Sequence, residues 1–163
     1  PGKVSARGPS PGAAATAIDV PLITLDGFVE ERGLGPVKLI KADVEGLEPE
    51  VLVGAERLIA RDRPILCLEL TPRWWADRAE QSARAHAILL AQGYEFFHIL
   101  PAPASPGTLA RLDVRPLLDP QGAKSIPGAY NMLAVPSGTR VGTATGVSRS
   151  STARCRSNNS TTA

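Results

Sequence analysis

From Ile18 to Pro136 the apolar positions follow two periods, one suited to helices and one to strands. Ile18 to Ile23 is a short β-like run. Thr24 then stands where a helix cap belongs, before a stretch that turns Leu25, Phe28 and Val29 inward and Glu30, Glu31 and Arg32 outward. Gly33 and Gly35-Pro36 end that helix. Val37 to Val44 reads as a strand, and its apolar content predicts an interior position rather than a surface edge. A helix begins near Pro49, with proline in the first turn, where its missing N–H is harmless. Its inner stripe is Val51, Leu52, Ala55, Leu58 and Ile59, and Pro64 stops it.

Ile65 to Leu70 is the next buried strand. A helix over about Arg78 to Gln92 carries Ala79, Ala83, Ala87 and Leu90 on one face, and Gly93 ends it. Tyr94 to Leu100 is a third strand. A Pro/Gly-rich connection from Pro101 to Ala129 leads to a last strand, Tyr130 to Val135. Apolar strands separated by amphipathic helices predict an α/β body, a largely parallel sheet with helices on its faces. The last strand has no helix before it and is free to enter antiparallel.

Charge divides the chain in a way its total conceals. The 163 residues hold 18 Lys and Arg against 16 Asp and Glu. Six of the bases lie outside the body, at Lys3 and Arg7 and at Arg140, Arg149, Arg154 and Arg156, with no acid beside them. The body is therefore acidic and has no basic stripe, which argues against nucleic acid as a partner. Residues 1–17, rich in Gly, Pro and Ala, and residues 137–163, rich in Ser, Thr and Arg, bury too little to order themselves and are expected to be disordered. The domain is expected over residues 18–136. Cys67 and Cys155 make neither a disulfide framework nor a zinc set. No run is long and apolar enough to span a bilayer, and the opening Pro-Gly-Lys has no signal-peptide core. A cytoplasmic location is expected, for a chain that reads as a piece of a longer polypeptide.

In open α/β sheets, ligands bind beyond the carboxyl ends of the strands. That rule selects Lys41-Ala42-Asp43-Val44-Glu45-Gly46-Leu47-Glu48 and, on the next strand, Glu69. Alternation sends Lys41, Asp43 and Glu45 to one side. A helix dipole favours acids in its first turn, and a lysine beside carboxylates can be a plain ion pair, so structural roles stand beside the functional one. Charges placed only at the rim of two neighbouring apolar strands favour function. His86 and His98 read as packed or partly exposed side chains. Trp74-Trp75 reads as packing more than as a substrate wall, and Asn131 opens the last strand, facing either a pocket or a turn.

Lys41-Ala42-Asp43-Val44-Glu45-Gly46-Leu47-Glu48 with Leu52-Val53-Gly54-Ala55 resembles the signature of the FkbM-type methyltransferases. Thr24-Leu25-Asp26, Pro64 to Leu70, Gly93-Tyr94 with Phe96-Phe97, and Asn131 to Pro136 resemble that family's flanking motifs, in order. The resemblance implies a Rossmann-like class I sheet, of which this chain supplies strands four to seven, the seventh antiparallel. It also implies S-adenosylmethionine as methyl donor and a hydroxyl of a small molecule, sugar or lipid as acceptor. The family's Asp-x-Gly-x-x-x-Gly cofactor turn has no counterpart here. On that template Asp43, Lys41 and Glu45 are the catalytic candidates, Asp43 also being the one candidate for a donor contact. Glu69, Glu48 and Asn131 are the acceptor-binding candidates, and no metal is called for. The alternatives are a non-catalytic truncated fragment, or a module that binds a partner through an open sheet edge. Without a first-strand neighbour, Val37–Val44 is expected to self-associate through that edge.

Overall fold

The computed structural model describes residues 21–99, 109–115 and 128–141. The expectations for residues 1–20, for Leu100, for most of the connection from Pro101 to Ala129 and for the tail beyond residue 141 lie outside the described residues. Along the chain the elements are α1 (Leu25–Glu31), β1 (Leu39–Ala42), α2 (Glu48–Val53), α3 (Glu56–Asp62), β2 (Ile65–Leu70), α4 (Pro72–Ala76), α5 (Ala79–Ala91), β3 (Tyr94–Ile99), β4 (Leu109–Arg111) and β5 (Tyr130–Pro136). They form a mixed α/β structure around one open sheet of order β1-β2-β5-β3-β4. β1 and β2 are parallel, while β5 runs antiparallel to both β2 and β3. The last strand thus enters reversed, between two strands that preceded it.

Alternation decides which side of the sheet is sealed. Leu66, Leu68 and Leu70 of β2 and Met132 and Ala134 of β5 are fully buried. They share one core with Leu52, Ala55 and Ile59 of the α2–α3 segment, Trp75 of α4, and Ala85, Ile88 and Leu89 of α5. The intervening β2 residues Ile65, Cys67 and Glu69 are only half-buried. At roughly 25 cal/mol per Å² of apolar surface removed from water, the leucine side of the strand holds the fold together.

Long-range capping joins the helices. Thr24 Oγ1 accepts the Gly27 N–H at 3.0 Å, as its sequence position predicts. Two residues on, Asp26 accepts the N–H groups of Arg57 at 3.1 Å and Leu58 at 2.8 Å, satisfying free amides at the start of α3. The Asp26 N–H in turn donates to the Gly54 carbonyl at 2.9 Å, at the break between α2 and α3.

Several expectations are corrected. No strand forms over Pro21–Ile23. The helix expected from Pro49 to Pro64 is two helices, broken at Gly54-Ala55 where Asp26 is bonded. Phe28 is 36% exposed, because a seven-residue helix turns only Val29 fully inward. β1 is shorter than Val37–Val44 and lies at the sheet's edge among the described residues, with Leu39 59% exposed. α4 was not expected. β4 falls inside the connection from Pro101 to Ala129.

The α5 face is also corrected: Ala79, Ala83, Ala87 and Leu90 face outward, and Ser82, Ala85, His86, Ile88 and Leu89 face inward. Alanine brings little apolar area to a core. Ser82 can be buried because its hydroxyl donates to the Trp75 carbonyl at 2.8 Å, and His86 because Nδ1 lies 3.2 Å from the Ser82 carbonyl.

Candidate functional site

Parallel pairing assembles the rim. Leu39 lies beside Ile65 and Lys41 beside Cys67. Continuing the pairing two residues brings Asp43 beside Glu69, at the carboxyl ends of β1 and β2. On the far side of β2, Glu69 is directly opposite Asn131 of β5. Lys41, Asp43, Glu69 and Asn131 therefore share the open side of the sheet.

Their electrostatics follow from that crowding. Lys41 Nζ donates to Asp43 Oδ2 at 3.3 Å, with the two side chains 62% and 48% exposed. The Glu69 carboxyl is raised above the usual glutamate range, chiefly by its hydrogen bond with Asp43. The negative charge of Asp43, loss of water, and the charges of Glu45 and Glu48 add to the effect. A neighbouring negative charge disfavours ionisation, which is why two carboxyls crowded into one site push one of them upward. Glu45 is exposed and takes the left-handed conformation at φ 53°, followed by Gly46 at φ 90°. A Cβ on Gly46 would stand 2.8 Å from Trp74 Cβ, so this position requires glycine twice over.

Glu48 is placed differently from the other acids. It is 1% exposed, beneath the turn. Oε1 accepts the Val44 N–H at 2.9 Å and the Gly46 N–H at 3.4 Å, and Oε2 accepts Trp75 Nε1–H at 3.3 Å. Both oxygens are taken, and Glu48 is not brought to the open rim. Its burial was missed in the sequence; the available signal was an indole donor just beyond the next strand. Asp26 was likewise matched only as part of a motif, and its structural task is to cap α3.

The remaining candidates are packed. The His86 ring lies 5.9 Å from Trp75 and 5.8 Å from Phe96, and burial lowers its pKa. His98 stacks at 4.7 Å on Tyr130, and Trp75 is 1% exposed. Among the described residues no three His, Cys, Asp or Glu side chains gather as a metal-binding set. Nor is any helix there long and apolar enough to cross a membrane.

An open α/β sheet with an acid pair at the carboxyl ends of adjacent parallel strands is compatible with a methyltransferase-like fold. The family model of the methyltransferase FkbM domain matches residues 2–96, more than half of the chain. The chain belongs to that family, and membership implies a methyl-transfer cofactor, typically S-adenosylmethionine. No match was found among curated proteins or among solved structures. The described residues around the turn after β1 do not fit that donor. Trp74 stands against the open side of Gly46, and both oxygens of Glu48 are engaged by Val44, Gly46 and Trp75.

Proposed function

We propose that this chain carries the acceptor side of an O-methyltransferase, with β1, β2, β3 and β5 corresponding to strands four, five, six and seven of a class I sheet. What supports the numbering is the order β1-β2-β5-β3 with β5 reversed. What supports oxygen as the acceptor is the Asp43–Glu69 pair, the observation that carries the proposal. A hydroxyl becomes a useful nucleophile only as its proton departs, and a carboxylate within hydrogen-bond reach takes that proton. Asp43 accepts the hydroxyl proton as the oxygen takes up the methyl group, Glu69 stands beside Asp43 as its partner, and Lys41 steadies the charge developing there. Glu45 lines the mouth, Asn131 offers an amide beside Glu69, and Glu48 holds the turn from below. The acceptor is a hydroxyl on a small molecule, sugar or lipid.

The test is to incubate the full chain with S-adenosylmethionine and a panel of sugar, lipid and polyketide alcohols, reading methylated product by mass. A parallel calorimetric titration measures donor binding. Acceptor-dependent product that Asp43→Asn abolishes supports the proposal. So does weak or absent donor binding combined with Asp43-dependent chemical shifts on adding an alcohol. Alcohol binding that is indifferent to both Asp43→Asn and Glu69→Gln overturns it.

A further inference from the structure

His86 of α5 is 2% exposed, and its two ring nitrogens are served unequally. Nδ1 faces the Ser82 carbonyl at 3.2 Å. A carbonyl only accepts, so Nδ1 holds the proton of the neutral ring. Nε2 is buried and has no hydrogen-bond partner among the described residues. Trp75 of α4 meets the ring at 78° and Phe96 of β3 meets it at 36°. The ionisable groups on the surrounding elements are engaged elsewhere. On α2, Glu48 holds the turn and Trp75, and Glu50 gives one oxygen to Arg78 at 2.6 Å. On β3, the Tyr94 hydroxyl donates to the Pro64 carbonyl at 2.7 Å, His98 stacks on Tyr130, and Glu95 is bonded to Arg111. Arg73 and Asp77 beside Trp75, and Glu80 and Arg84 of α5, are exposed. A proton on Nε2 therefore puts a charge and an N–H out of water with no partner assigned to either.

Trp75 connects this ring to the turn after β1. Ser82, whose carbonyl holds His86, donates its hydroxyl to the Trp75 carbonyl at 2.8 Å. The Trp75 indole N–H reaches Glu48 Oε2 at 3.3 Å, a long bond, and Glu48 Oε1 holds the Val44 and Gly46 amides. We propose that His86 is an acid-sensitive latch on that turn. When Nε2 takes a proton from solvent, the ring leaves its aromatic contacts, the indole withdraws from Glu48, and the Val44 and Gly46 amides are released. The direction follows from burial, which lowers the His86 pKa against the opposing bond to the Ser82 carbonyl. The neutral ring's contribution is therefore complete above the ordinary imidazole range and is lost as pH falls through that range toward the folded value. The latch is a property of the fold; only its effect on turnover rests on the acceptor-site reading above.

The test titrates the isotope-labelled full chain with acid, from about pH 7.5 to about pH 5, and follows it by NMR. The Trp75 indole N–H and the Val44 and Gly46 amides are expected to shift together, with one midpoint below about pH 6.5. Over the same interval the exchange protection of both amides is expected to fall by at least about tenfold. Neither change is expected in His86→Gln, whose amide can donate to Ser82 but does not titrate, nor in His86→Phe. His98→Gln removes the other imidazole of the chain and is expected to leave both changes in place. That comparison alters nothing at residue 86, so it keeps the test valid if both His86 variants fail to fold. Signals that stay still in the parent, that move alike in a His86 variant, or that His98→Gln abolishes overturn the proposal. So does a transition in which every amide loses protection at once, since that is global unfolding and not the release of one turn. No readout involves methyl transfer, so the latch stands or falls apart from the acceptor-site reading.

Discussion

The two sides of the β2 ladder differ sharply. Leu66, Leu68 and Leu70 point into the helices and are fully buried, whereas Ile65, Cys67 and Glu69 point the other way and keep contact with solvent. Lys41, Asp43 and Glu69 of the candidate rim belong to the second side. One strand thus divides its labour by parity: even positions hold the fold, odd positions are left for chemistry. Adjacent residues are expected to differ most on mutation. Leu68→Ala should cost about 2–5 kcal/mol of stability through lost burial and a residual cavity. Cys67→Ala, one residue along, should stay below about 1 kcal/mol. Urea denaturation of both variants checks this, and equal losses would mean that the open side is packed in solution.

The turn between the two sides is next in size. Gly46→Ala forces a side chain into φ 90° and drives its Cβ against Trp74. Strain and overpacking together should cost about 3 kcal/mol. Asp43 lies at the start of the same turn, so the variant should also disturb the Asp43–Glu69 pair, seen as a change in the Glu69 carboxyl titration by NMR. If stability falls while that titration stays the same, the turn supports the fold without shaping the rim.

Glu48 and Glu69 sharpen the comparison, since the same residue type serves opposite ends on the two sides. Glu48→Ala removes the acceptor for Val44, Gly46 and Trp75 and leaves donors buried, at a cost of about 1–3 kcal/mol. Glu48→Gln should rescue only part of this. An amide offers one acceptor oxygen, so its NH2 group meets either the backbone amides or the indole. The Trp75 indole N–H resonance reports the change; an unshifted signal in Glu48→Gln would contradict the bond.

How much of this was legible followed from the range of the interactions involved. Thr24 as a cap, the span of β2, the reversed last strand and the gathering of Asp43 with Glu69 all come from local pattern and strand parity. Glu48 was not legible as a buried residue. An acid in a first helical turn is normally a dipole partner facing water, and its real partner is an indole 27 positions away. The same holds for Asp26, whose amide partners lie 31 and 32 residues on. The α5 face differs from its sequence pattern because alanine brings little apolar area to a core, while Ser82 and His86 are buried on backbone partners that sequence does not display. The edge position of β1 depends on which strand lies beside it, and composition carries no record of that.

The smallest expected effect concerns the raised Glu69 carboxyl. Glu69 is raised above its unfolded value, chiefly by the hydrogen bond with Asp43. A raised carboxyl binds its proton more tightly in the folded state. Its contribution is therefore fully present below the ordinary glutamate range, and it is lost as pH rises through the folded value. At neutral pH the rim should accordingly be a small liability to stability, in contrast to the leucine side of the same strand, whose contribution does not titrate. Asp43→Asn removes the main cause. Glu69 should then titrate closer to the ordinary range, the pH dependence of stability should flatten, and the variant should be slightly more stable than the parent at neutral pH. Carboxyl NMR titration of Glu69, with denaturation midpoints measured across the same pH series, checks both parts. A Glu69 titration that Asp43→Asn leaves in place would show that the two carboxyls do not interact, and the rim would lose its claim to proton transfer.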